Sequence, residues 1–191
     1  MAALAVLLLV ACSHSRSSSR TPRSAIEQLL VTVSAERAVE ELVLPGVANR
    51  RVAIDLVGVA PGNGAYDDLP YLKAALEERL RREGATLVGE PAEAERVVAV
   101  RVGALATMSN ETAVGIPSVP LLVTATPEIK LYRSIEENGY TKLHVSQRDA
   151  QGAPSEETQV VIERARFRMW RLFFFTFRSD RDLFPEGEGP G

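Results

Sequence analysis

The sequence predicts an α+β or α/β protein: a single domain with a mixed β-sheet packed by two helices and finished by a C-terminal hairpin. Three observations carry this. A capping box opens a first helix, an alternating strand leads into a second helix with one leucine stripe, and Asn138-Gly139 separates two alternating segments. The chain has 191 residues, 46% of them apolar, which is enough for one domain with a real core.

Ser24 followed by Glu27 has the spacing of a capping box, so a helix is expected from Ser24 to about Leu42. Ile26, Leu29, Leu30 and Val33 share one face. Beyond Ser34 the stripe moves to Ala38, Val39, Leu42 and Val43, nearly opposite, so a kink or a change of partner is expected there. Arg51 to Val59 alternates as a strand does. After the loop Pro61-Gly62-Asn63-Gly64, Asp67 or Asp68 caps a second helix, with Pro70 in its first turn. Leu69, Leu72, Leu76 and Leu80 give that helix one apolar stripe, Glu77-Arg81 and Glu78-Arg82 support its wet face, and Gly84 ends it. The glycine loop lacks the spacing of a dinucleotide or P-loop motif, and the two aspartates would repel phosphate.

Ala85 to Val88 and Arg96 to Leu105 are two further strands, and Ala106 to Pro127 is a long connection. Glu128 to Ile135 and Tyr140 to Gln147 flank Asn138-Gly139, a strong hairpin-turn signal because both residues tolerate positive φ. Asp149-Ala150-Gln151-Gly152 turns towards a last segment beginning near Thr158.

All six phenylalanines and the only tryptophan fall between Phe167 and Phe184, interleaved with arginines. Arg164 to Met169 alternates as a half-buried strand does, whereas Leu172 to Phe175 has no simple period. These aromatics either close the core with the arginines in water, or form an interaction surface of Arg166, Phe167, Arg168, Trp170, Arg171, Phe173, Phe174 and Phe175. Stacking and phosphate pairing would also suit single-stranded nucleic acid. An acidic chain of net charge -3 makes nucleic acid an unexpected partner.

The N-terminus sets the compartment. Ala2 to Ala11 are all Ala, Val or Leu, and at about 1.5 Å per residue they are too short to cross a hydrocarbon core of about 30 Å. Residues 1–11 suit a secretory signal, with Ala11 as the small residue before cleavage. Leu9-Val10-Ala11-Cys12 resembles the lipobox of bacterial lipoproteins, which implies that Cys12 is lipidated and becomes the mature N-terminus. The alternative is a buried thiol in a core element. Residues 12–23 are then an anchor with a short basic tether, residues 24–178 a single globular domain, and residues 179–191 a flexible tail. Ser13 after the cysteine, by the same resemblance, implies the outer membrane facing the periplasm.

Catalytic constellations are sparse. With one cysteine and two histidines the chain has no standard zinc spacing, so no metal and no cofactor is expected. His144, Ser146 and Asp149 lie close in sequence but without an evident oxyanion donor, and Asp55 is either a buried acid or an outward strand residue. No catalytic residue is assigned.

Ser19-Arg20-Thr21-Pro22-Arg23-Ser24-Ala25-Ile26-Glu27-Gln28-Leu29-Leu30, with Gly115-Ile116-Pro117 and Thr126-Pro127-Glu128, resembles a family of bacterial lipoproteins of unknown function over roughly residues 12 to 150. The element order is also similar to small α/β lipoproteins that activate or assemble envelope machinery, such as penicillin-binding-protein activators. The family of unknown function brings no known reaction, and the function expected is a non-enzymatic accessory or assembly protein of the cell envelope, bound to the membrane through its cysteine and to a protein partner near the surface. An envelope lipid- or glycan-binding protein is the alternative, and an envelope hydrolase a third.

Overall fold

The computed structural model describes residues 12–15, 23–58, 68–116, 129–149, 152–153, 158–179 and 182–183. Its strands are β1 (Cys12–Ser15), β2 (Arg51–Val57), β3 (Thr86–Leu87), β4 (Arg96–Ile116), β5 (Ile129–Asp149), β6 (Gln159–Leu172) and β7 (Phe175–Ser179), and its helices are α1 (Ala25–Glu40) and α2 (Leu69–Arg82). The sheet order is β3-β2-β4-β5-β6-β7, with β1 also paired to β4. β2 runs parallel to β3 and β4, whereas β1 is antiparallel to β4 and β7 to β6, so the sheet is mixed and the protein α+β. The chain forms two compact units. A helical unit comprises Pro22–Thr107 and Gly139–Ala165; a strand unit comprises Met1–Thr21, Met108–Asn138 and Arg166–Gly191.

In the helical unit, α1 starts as its sequence dictates: the Ser24 hydroxyl accepts from the Glu27 N–H at 3.2 Å and the Glu27 carboxylate from the Ser24 N–H at 2.8 Å. The expected change of face at Ser34 does not occur. Leu30, Val31, Ser34, Ala35, Ala38 and Val39 form one continuous buried stripe. Ser34 belongs to it because its hydroxyl donates to the Val31 carbonyl at 3.0 Å and pairs with the Thr141 hydroxyl at 2.9 Å, so its polarity is satisfied inside. Val43, expected on the second stripe, is exposed.

α2 matches its leucine pattern, burying Leu72, Leu76 and Leu80 against Ala35, Ala38 and Val39 of α1 and Val52, Val98 and Val100 of the sheet. Asp68 stands at its N-cap without a capping bond and pairs instead with Arg23. Glu77-Arg81 forms as expected, but Arg82 reaches Glu40 of α1 rather than Glu78, and so ties the two helices together. The Tyr71 phenol donates to Glu36; burial first, then that bond, pushes its pKa up to about 12. On the opposite sheet face, Ala53, Ala94 and Val97 make a small second cluster.

Two expectations fail in the long strands. Ala106 to Ile116 is not a connection but the continuation of β4, while residues 117–128, like the 61–64 loop, lie outside the described residues. Asn138-Gly139 is not a turn. Both residues are buried inside β5, and the hairpin at this end of the chain joins β5 to β6 instead. Gly139 is small for another reason: a Cβ there would lie 2.3 Å from the Leu30 carbonyl oxygen. Helix backbone passes directly over the strand, and only glycine leaves room.

Candidate functional site: an aromatic and arginine face

The β6–β7 hairpin of the strand unit gathers the residues that the sequence singled out. β6 alternates as expected. Phe167 turns inward and is only 4% exposed, so it is a core residue and leaves the interaction set. Arg166, Arg168 and Trp170 share the other face, because side chains two apart on a strand point the same way. Arg171 belongs to the Phe167 side and lies opposite Thr176, to whose hydroxyl its Nε donates at 3.4 Å.

Register completes the face. Trp170 pairs with Phe177, and their rings stack at 5.9 Å with an 18° tilt, while Arg168 pairs with Ser179. From β5, Glu136 accepts from Arg168 Nη2 at 2.8 Å and lies 3.6 Å from Arg166 Nε. The Arg166 backbone N–H donates to Asp182 at 3.1 Å. Two shallow depressions share Arg168 and Trp170. One, of about 270 Å³, adds Arg166, Ser179 and Asp182; the other, of about 300 Å³, adds Tyr132, Ser134 and Glu136. Tyr132, Ser134, Glu136, Phe177, Ser179 and Asp182 were not singled out in the sequence, and only strand register reveals them.

The Arg168 hydrogen bond, opposed by burial and reinforced by Asn138 and by the charges of Arg168 and Arg166, holds the Glu136 carboxyl below the usual range. Glu111 of the same unit is held low by Arg133, whose Nε and Nη2 donate to its two oxygens at 2.7 and 3.0 Å. Depressed folded-state values place the stabilisation above the unfolded carboxylate pKa of about 4.3; it is lost as pH falls through the folded values. The thermal midpoint is therefore expected to drop on acidification below about pH 5, and Glu136→Gln to flatten part of that slope. Both pairs are partly exposed, so each contributes on the order of 0.5 kcal/mol. A melting profile of Glu136→Gln with the wild-type acid slope would show that the Arg168 pair is not formed.

The catalytic candidates are dispersed. His144 and Ser146 alternate with buried Leu143 and Val145, and Asp149 accepts the Ala153 N–H at 2.8 Å as part of a turn. Asp55 is a partly exposed ion-pair acid, 2.6 Å from Arg148 Nη2. Among the described residues, no group of three or more His, Cys, Asp or Glu side chains could hold a metal ion. No helix among them is long and apolar enough to cross a membrane. Fold and site together define an α+β protein with an exposed aromatic and arginine face. No family model and no curated protein matches the chain.

Proposed function

We propose that this chain is a bacterial lipoprotein, anchored through Cys12 in the cell envelope at the outer membrane facing the periplasm, and that it acts as a non-enzymatic accessory or assembly protein. The observation that carries a binding role is the Trp170–Phe177 stack with Arg168 beside it. Trp, Tyr and Arg are the residue types that dominate protein–protein hot spots once a partner desolvates them, and Tyr132 extends the same surface. Glu136, held ionised by arginines, is suited to pairing and not to the donation of a proton, for which a raised pKa is needed.

A photoreactive residue in place of Ser134, which lines the same surface, in cells fed a labelled fatty acid, tests this directly. The expected result is an acylated, membrane-bound protein with one discrete protein adduct, lost in Trp170→Ala while the melting temperature falls by only a few degrees. Cys12→Ala should lose the label and leave the membrane fraction. Unlabelled, soluble wild-type protein would sink the anchor; the absence of a protein adduct would sink the partner surface.

A second function is favoured by one specific feature. The stacked Trp170–Phe177 pair, flanked by Glu136, Asp182, Ser134 and Ser179, offers aromatic surface beside hydrogen-bond donors and acceptors, the chemistry that sugars engage. Retention of the purified protein on isolated envelope glycan, abolished by Trp170→Ala, would favour that function over a protein partner.

A further inference from the structure

The phenylalanines at the hairpin apex lie beyond the Trp170 face. In the β6–β7 register the last pair is Leu172–Phe175, so Phe173 and Phe174 form a two-residue loop. Such loops ordinarily carry Asn, Asp or Gly, because positive φ is needed. Here Phe173 adopts φ +51, a conformation that bulky side chains rarely adopt. Phe174 is 96% exposed and Phe175 69% exposed. Four successive apolar residues thus occupy the most solvent-accessible point of a hairpin, in a turn that disfavours them, so folding alone does not account for them.

The register also shows what else lies at this end. The Phe173 N–H donates to the Leu131 carbonyl at 2.8 Å, two residues from the start of β5. A Cβ on Gly115 would meet the Ile129 carbonyl oxygen at 2.1 Å, so the end of β4 touches the start of β5. Ile116 and Ile129, both exposed, therefore stand at the same tip. Cys12 pairs with Val114, two residues from the end of β4. The residue proposed for lipidation therefore stands at the same end of the strand unit as the phenylalanines, with β4 and β5 between them.

We propose that this tip is a membrane wedge: Phe173, Phe174 and Phe175 insert into the interfacial layer of the lipid bilayer that holds the Cys12 acyl chains. The position of the anchor rests on the lipidation proposed above, whereas insertion of the aromatic apex can be measured without it. Arg171 and Thr176 face each other one register step below Leu172 and Phe175, and Arg171 and Arg178 are exposed. Arg171 there meets anionic headgroups when roughly 7 Å of apolar tip is submerged, a depth typical of interfacial insertion, and Arg178, opposite Met169, follows two register steps further from the apex. An apex with Phe174 almost fully exposed at its outermost point suits a deformable lipid surface, whereas a protein pocket would have to enclose Phe174 on all sides.

The test places a tryptophan at the apex. Phe174→Trp in a Trp170→Phe background leaves one indole, and Met108→Trp in the same background is the control, since Met108 is exposed in the strand unit eight residues before the tip residue Ile116 on β4. Both are studied as acylated protein in phosphatidylethanolamine–phosphatidylglycerol vesicles and as unacylated Cys12→Ala chain with the same vesicles. Brominated acyl chains are expected to quench the position-174 indole at least about threefold more strongly than the position-108 indole, with a blue shift of its emission. Circular dichroism confirms that each variant is folded. Equal quenching at the two positions in acylated, vesicle-bound protein overturns the wedge while leaving the anchor intact. Quenching at position 174 in a chain that cells do not acylate supports the wedge and removes the anchor. A protein crosslinked at position 174, with no quenching by lipid, also overturns the wedge.

Discussion

Gly139→Ala is expected to destabilise the helical unit by about 3 kcal/mol, the upper part of the range for overpacking a well-filled core. The added methyl would meet the Leu30 carbonyl oxygen at 2.3 Å and the Leu30 carbonyl carbon at 2.5 Å, and both are backbone atoms that no rotamer change can move. α1 must lift off the sheet, which loosens the Ser34–Thr141 contact alongside. The penalty is steric, because Gly139 is not among the glycines with positive φ. Urea denaturation measures it; a variant within about 0.5 kcal/mol of wild type would mean that helix and strand backbones do not approach so closely.

Leu76→Ala is expected to cost a similar amount, between about 2 and 5 kcal/mol, by the opposite mechanism. Leu76 is fully buried in the middle of the α2 stripe, within a core shared by α1, β2, β4 and β5. Truncation removes transfer free energy and leaves a cavity bounded by elements that cannot all collapse into it. The same denaturation experiment applies, with the surface change Lys73→Ala as its control. A loss below about 1 kcal/mol for Leu76→Ala would show that α2 is not docked on the sheet.

The sequence made local features legible and left long-range ones obscure. The capping box of α1, the leucine stripe of α2, the strand β2 and the alternation of β6 each depend on neighbours within a few residues, and each is found where expected, although β2 buries Val52 and Ala53 on both its faces. Ser34 misled because burial of a hydroxyl depends on a partner, Thr141, that lies far along the chain. Asn138-Gly139 misled because the residue pair suited to a tight turn also suits a strand crossed closely by a helix. The aromatic cluster was visible as composition, but its division was not. Phe167 went to the core, Trp170 to a lateral face and Phe174 to the apex, according to strand parity and the place where the hairpin turns. Glu136 could not be found at all, since its role depends on the β5–β6 register.

The pairing of β1 with β4 has a consequence for the order of folding. Cys12 and Val114 are separated by about a hundred residues, so their contact closes the kind of long loop that slows folding. β4, β5 and β6 are consecutive and can zip up through neighbouring segments, whereas β1 has no partner until β4 exists. An emerging chain thus holds Cys12 to Ser15 unpaired until β4 has formed, and only then draws them against it. Strand addition becomes a late latch, closed only once residues 111–114 have been made and ordered.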